Sequence, residues 1–158
     1  MRDAGFNFEW YDKYCDNLFA KSFEKKLAHY DVVTAFELLE HLPNPREDLD
    51  PIMKLGDTII ASTEILPNPP PKLNDWWYYA LQGGQHIAFY TRRSMELLAG
   101  YFNRHYYYCG GLHIFSTEKL FEPFLKVAGR FPGVVNRVVR RESLLAGDYN
   151  SIVGEKLL

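Results

Sequence analysis

Three ionisable side chains follow the most strand-like segment of this 158-residue chain. Glu37, Glu40 and His41 come directly after an apolar, β-branched run at residues 31–36, which is typical of a strand covered on both faces. Ligands bind at the carboxyl ends of strands in open α/β sheets, so a site is expected here. The i, i+3, i+4 spacing brings the three side chains together if the chain turns helically after the strand. An imidazole among them can accept a proton near neutral pH.

Another acid, Asp12, ends the alternating segment 6–12, which predicts a further strand. At the end of the second strand of a dinucleotide-type fold, a carboxylate can accept hydrogen bonds from both hydroxyls of a ribose. Aspartate is also favoured wherever a strand gives way to a turn. A purely structural Asp12 is therefore the alternative.

Further strands must position these groups. A short strand is predicted at 18–20 and a buried strand at 56–63. The pair Gly110-Gly111 predicts the turn of a β-hairpin with strands at 105–109 and 112–115.

Helices alternate with these strands. One helix begins at Asn44-Pro45 and extends to about Lys54, and another begins at Thr91. This order predicts an α/β fold with a mostly parallel sheet and a C-terminal antiparallel hairpin.

Beyond the hairpin the sequence favours helix. Residues from 116 onward look helical with interruptions at Pro123 and Pro132, and roughly the last fifteen residues are predicted to be weakly structured. We therefore divide the chain into a main part at residues 1–116 and a C-terminal helical extension of the same domain at residues 117–158.

The segment YDVVTAFELLEHLPNP at residues 30–45 resembles the fourth-strand segment of class I S-adenosylmethionine (SAM)-dependent methyltransferases. The strand GDTIIAST and a later segment with Trp77, His86 and Thr91 match in the same order, so the similarity covers residues 3–116. It implies a Rossmann-like sheet and SAM-dependent methyl transfer. The family's glycine-rich SAM loop has no counterpart upstream of Phe6. We therefore expect a partial domain, truncated at its amino end before the first strand–loop–helix unit, that binds SAM poorly.

The resemblance also implies roles for individual residues. Asp12 would hold the SAM ribose, and the backbone at Ala35 and Phe36 would face the methionine part. The acceptor pocket would be lined by three aromatic residues, Trp77, Tyr78 and Tyr90.

The cluster after the strand resembles the divalent-metal site of a class I subset that includes ubiquinone-pathway and small-RNA O-methyltransferases. By position, the metal ligands would be Glu37, Glu40, His41 and His86, holding Mn²⁺ or Mg²⁺. His41 or His86 would also be the catalytic base that takes the acceptor's proton. Many relatives with the same Glu-His pair need no metal. In that alternative the glutamates are solvated, and His41 packs or acts as a base.

The composition argues against nucleic acid and membranes as partners. A net charge of −2 argues against a general nucleic-acid-binding surface, so RNA methylation is the least favoured alternative. No stretch approaches the roughly 20 apolar residues of a membrane span, and no signal peptide is visible. We expect a cytoplasmic protein, without a membrane partner, acting on a hydroxyl of a small molecule. The other alternative is an inactive methyltransferase fragment or interaction module. The sequence leaves the oligomeric state open.

Overall fold

The computed structural model describes residues 1–18, 20–131, 133 and 141–155. The chain forms two compact units, one spanning Ala28–Phe131 and the other formed by Met1–Leu27 with Pro132–Leu158. Of the sequence predictions, Phe19 in the expected strand at 18–20 and the interruption at Pro132 lie outside the described residues.

The unit Ala28–Phe131 contains a four-stranded sheet of β1 (Tyr30–Phe36), β2 (Gly56–Ser62), β3 (His105–Cys109) and β4 (Leu112–Ser116), in the order β1-β2-β4-β3. The pair β1–β2 is parallel, whereas β2–β4 and β3–β4 are antiparallel. The predicted α/β fold and its C-terminal hairpin are confirmed. The sheet is mixed, because β4 runs antiparallel to both of its neighbours. The segment 6–12, which was expected to add a strand, does not form one.

Helices connect and cover these strands. Helix α1 (Pro45–Leu55) packs against β1 and β2, while α2 (Arg92–Tyr101) and α3 (Glu122–Arg130) pack against β3. The register places Val33, Ile59 and Phe115 in one row across the sheet. The buried apolar cluster of this unit consists of Ala35, Leu39, Leu49, Met53, Ile59, Ala61, Tyr90, Met95, Leu98, Ala99 and Phe115.

The other unit contains no strand at residues 6–12. Among them only Trp10 forms an isolated parallel bridge, to Glu24. The prediction of a weakly structured end is wrong for helix α4 (Leu145–Glu155). The Asp148 carboxylate on this helix receives two hydrogen bonds from the Arg2 guanidinium, at 2.6 and 2.5 Å. A local sequence pattern cannot show a contact between residues so far apart in the chain.

Within the described part of the chain, no helix is both long enough and apolar enough to cross a membrane.

Candidate functional site

The site begins where β1 ends. Glu37 adopts a left-handed backbone conformation with φ of 47°, and a 3-10 helix follows at Leu39–His41. This turn directs Glu40 inward, where the residue is 0% exposed. The Glu40 carbonyl accepts hydrogen bonds from the backbone N–H groups of Ile87 at 2.8 Å and Ala88 at 3.0 Å. These bonds hold the segment that carries His86 beside the turn.

Glu40, His41 and His86 converge in space. One ligand atom from each of the three residues lies within 4.8 Å of those from the other two. The two imidazole rings meet edge to face, with centroids 5.0 Å apart and an interplanar angle of 76°. A carboxylate and two imidazoles at this separation form a donor set suited to a divalent transition-metal ion.

Both imidazoles are oriented through Nδ1. His41 Nδ1 lies 2.9 Å from the Gln85 carbonyl oxygen, and His86 Nδ1 lies 2.7 Å from the Tyr78 carbonyl oxygen. Because a carbonyl can only accept, we assign the ring hydrogen to Nδ1 in each neutral imidazole. The Nε2 lone pair of each ring is then available, which is the arrangement that metal-binding histidines use.

The Glu40 side chain lacks ordinary hydrogen bonds. Both carboxylate oxygens are buried, and no donor among the described residues reaches either one with ordinary hydrogen-bond geometry. The Tyr78 hydroxyl is a neighbour of the Glu40 carboxylate. Burial is the main cause that raises the pKa of Tyr78, and the proximity of Glu40 raises it further. Burial and then the charge of Glu40 raise the pKa of Tyr90 to about 12. An unpaired buried carboxylate is costly, so this donor set fits a bound cation.

Glu37 lies apart from this cluster. Its backbone N–H donates to Ser62 Oγ at 2.9 Å, and Ser62 Oγ donates to Glu37 Oε1 at 2.7 Å. Phe36 pairs with Ser62 in the parallel register, so the left-handed turn at Glu37 leaves its exposed side chain beside the end of β2. Three of the four predicted ligands are therefore brought together, and the fourth is not.

The predicted cofactor residues lie in both units. Ala35 is buried and Phe36 is 50% exposed at the carboxyl end of β1. Asp12 belongs to the unit that contains the chain's first residues, where its Oδ1 accepts backbone hydrogen bonds from Tyr14 at 2.7 Å and Cys15 at 2.9 Å. These bonds are those of an aspartate in a turn, since the predicted strand before it does not form.

The three aromatic residues predicted to line an acceptor pocket differ in exposure. Trp77 is 75% exposed and borders an open cleft of ≈ 450 Å³. Tyr90 borders a second cleft of ≈ 440 Å³, but it is buried and its hydroxyl donates to the Leu39 carbonyl at 2.9 Å. Tyr78 is 0% exposed. Of the three, Trp77 therefore offers the most surface to a ligand.

A family model described as a methyltransferase domain matches residues 1–103. The chain belongs to this methyltransferase family. The resemblance to class I SAM-dependent methyltransferases is thereby confirmed, and with it SAM-dependent methyl transfer as the general chemistry of the family. No curated protein and no solved structure matches the chain.

Sequence reasoning missed two polar residues beneath the cluster of this methyltransferase domain. Thr63 Oγ1 lies 2.9 Å from the Tyr78 hydroxyl, and His113 Nε2 lies 3.0 Å from the Thr63 carbonyl oxygen. His113 Nδ1 accepts a hydrogen bond from the Tyr106 hydroxyl at 2.8 Å. Burial lowers the pKa of His113, which favours its neutral form. The only sequence signal for this pair is a histidine between apolar neighbours in β4.

Proposed function

We propose that this chain transfers the methyl group of SAM to a hydroxyl of a small molecule, assisted by Mn²⁺ or Mg²⁺ held by Glu40, His41 and His86. The observation that carries the proposal is the convergence of these three side chains, with both Nδ1 atoms committed to carbonyls. Both oxygens of Glu40 are buried without a partner at ordinary hydrogen-bond geometry among the described residues, and a bound cation would stabilise the carboxylate there.

Each residue of the cluster has a defined task. Nε2 of His41 and of His86, together with one oxygen of Glu40, would hold the cation. When bound, a divalent cation lowers the pKa of a coordinated hydroxyl and orients it. Methyl transfer needs an in-line approach of acceptor to methyl group, so fixed orientation supplies much of the rate.

The histidines are predicted both as metal ligands and as the catalytic base, and one nitrogen atom cannot serve in both roles at once. With Nδ1 donating to a carbonyl, each imidazole has only Nε2 left, and that lone pair either binds a cation or accepts a proton. In the metal-assisted reaction His41 and His86 are ligands. In a metal-free reaction one of them is the general base that takes the acceptor's proton.

The proposed SAM site rests on the family and on the carboxyl end of β1. We place the methionine part of SAM near the backbone of Ala35 and Phe36 by analogy with the family, and a ribose contact by Asp12 stays a separate prediction. Trp77 supplies an exposed aromatic wall for the acceptor. We also propose a cytoplasmic location, because the sequence carries only two cysteines, too few for a disulfide framework.

Manganese binding tests the metal assignment directly. We expect free Mn²⁺, followed by electron paramagnetic resonance, to be depleted by the unaltered chain and not by His86→Ala. His105→Ala is the matched control, because this histidine is exposed on β3 and lies outside the cluster. If the unaltered chain does not bind Mn²⁺ and a chelator does not affect methyl transfer, the metal assignment is wrong. The metal-free reaction with a histidine base would then be favoured.

Calorimetry with SAM is the second arm of this experiment and separates an active domain from an inactive one. Weak but measurable heat of binding supports methyl transfer by this chain. No heat at about millimolar SAM (a binding free energy weaker than about −4 kcal/mol) would favour the inactive interaction module.

A further inference from the structure

We propose that Tyr78 is a positioning residue for the cluster: its carbonyl and ring orient His86, and its hydroxyl is the hydrogen-bond donor for the Glu40 carboxylate when the cluster holds a cation. This inference rests on the proposed metal-binding function of Glu40, His41 and His86. It changes the role expected for Tyr78, because a fully buried side chain supports the site and does not line an acceptor pocket.

Two contacts join Tyr78 to His86. The Tyr78 carbonyl accepts the Nδ1–H of His86 at 2.7 Å, and the two rings pack with centroids 4.5 Å apart at 56°. The first contact selects the tautomer that leaves Nε2 available, and the second limits rotation of the imidazole. Tyr78 itself lies in the 3-10 helix Trp77–Tyr79, so one short element supplies both contacts.

The hydroxyl of Tyr78 faces two oxygen-bearing side chains. It lies 2.9 Å from Thr63 Oγ1, and the Glu40 carboxylate and the backbone of Glu64 are its other polar neighbours. A hydrogen bond from His113 fixes the position of Thr63, because the Thr63 carbonyl accepts the Nε2–H of His113 at 3.0 Å. When the Thr63 hydroxyl donates to Tyr78, the single proton of the phenol is free to point at Glu40. If a cation binds one oxygen of the Glu40 carboxylate, the second oxygen would then accept a hydrogen bond from the Tyr78 hydroxyl.

Tyr90 does not compete for this role. Tyr90 also lies near Glu40, but its hydroxyl proton is committed to the Leu39 carbonyl at 2.9 Å. Among the described residues, Tyr78 is therefore the hydroxyl best placed to satisfy Glu40. Partners that hydrogen-bond a ligating carboxylate commonly change metal affinity by about 10- to 100-fold when removed.

Removal of one hydroxyl tests the inference. In Tyr78→Phe the ring and the carbonyl remain, and we expect Mn²⁺ affinity to fall about 10- to 100-fold. We also expect the visible absorption of bound Co²⁺ to change, because the carboxylate that binds it loses its hydrogen bond. The matched control is Tyr79→Phe, which removes the neighbouring hydroxyl that donates to the Pro71 carbonyl at 2.9 Å and leaves both readouts unchanged.

The outcomes separate this inference from the function on which it rests. An unaltered chain that binds no Mn²⁺ overturns both. Normal binding and an unchanged Co²⁺ spectrum in Tyr78→Phe overturn the inference alone. If circular dichroism shows that Tyr78→Phe does not fold, Thr63→Val replaces it, because this variant removes the hydroxyl that orients Tyr78. Weaker Mn²⁺ binding by Thr63→Val then supports the inference, and unaltered binding overturns it.

Discussion

Glu37 and Glu40 carry the same carboxylate three positions apart and have different surroundings. Glu40 is buried within the 3-10 helix, while Glu37 is exposed and hydrogen-bonded to Ser62. The difference arises in the backbone, because the left-handed conformation of Glu37 separates its side chain from the turn that follows. Position in the motif alone does not distinguish the two residues, whereas their burial does.

Substitutions of the two glutamates should therefore change the affinity for Mn²⁺ to different extents. Glu40→Gln is expected to weaken Mn²⁺ binding by at least about tenfold, because the buried charge that a cation neutralises is lost. Glu37→Gln should leave the affinity unchanged, since its carboxylate lies outside the cluster. Isothermal titration with Mn²⁺ measures both variants. An equal loss of affinity in the two variants would show that Glu37 turns inward and joins the ligands.

Among the elements, helix α2 has the best-defined start. Thr91 Oγ1 accepts the backbone N–H of Ser94 at 3.1 Å, and Ser94 Oγ accepts the backbone N–H of Thr91 at 2.8 Å. This reciprocal pair forms a capping box. The helix then buries Met95, Leu98 and Ala99 in the core. Its start also determines where the preceding segment, which carries the distant histidine of the cluster, must end.

Loss of this cap is expected to destabilise the unit that contains the sheet. Thr91→Ala removes the side-chain acceptor and should lower the free energy of unfolding by about 1 kcal/mol. Urea denaturation followed by circular dichroism measures the change. The matched control is Thr117→Ala, an exposed threonine just after β4. Equal stabilities for Thr91→Ala and the unaltered chain would mean that core packing alone determines where α2 begins.

Local signals determine which elements the sequence can predict. The β-branched residues of β1 and β2 predict strands, and Pro45 and Thr91 mark the starts of α1 and α2. The prediction that β1 is covered on both faces is wrong, because β1 is an edge strand in which Val32 is 48% exposed. Helix α4 escapes prediction, because Gly147 and polar residues weaken its pattern and its contact with Arg2 spans 146 positions.

In the site, too, the sequence predicts what depends on local signals and not what depends on contacts between distant segments. Motif spacing places Glu40 and His41 together, and the family resemblance adds His86 to them. The left-handed conformation of Glu37 depends on how the end of β1 meets β2, and the buried position of Tyr78 depends on packing between distant segments. Neither property is encoded in the spacing of a motif.

At the scale of the whole molecule, the two ends of the described chain belong to one compact unit. Arg2 donates to both carboxylate oxygens of Asp148, and the backbone N–H of Leu144 donates to the Arg2 carbonyl at 3.1 Å. Arg2 also donates to Asn7 Oδ1 at 2.8 Å. The Arg2 side chain thus connects the first residues with helix α4, and Ser143 Oγ donates to Asp3 Oδ1 at 2.9 Å beside it, so we expect the two segments to open together.

Asp148→Asn tests this connection through its effect on both segments. The substitution removes the charge that pairs with Arg2, so at about pH 7 we expect lower hydrogen-exchange protection of residues 1–8 and 144–150 together. The control Asp16→Asn alters an exposed aspartate of the same unit and should leave the protection unchanged. Loss of protection in only one of the two segments would show that they open independently.

The same ion pair gives the substitution a pH dependence. The hydrogen bond from Arg2, with the opposite charge, holds the pKa of Asp148 below its ordinary value. The pair therefore stabilises the fold above the ordinary aspartate pKa of about 3.9 and loses its contribution as the pH falls through the lowered value. Thermal melts of Asp148→Asn and the unaltered chain should differ at about pH 7 and converge as the pH falls below about 3. A difference that persists in acid would mean that the asparagine disturbs the packing of α4, since a protonated carboxyl no longer carries the charge that the substitution removes.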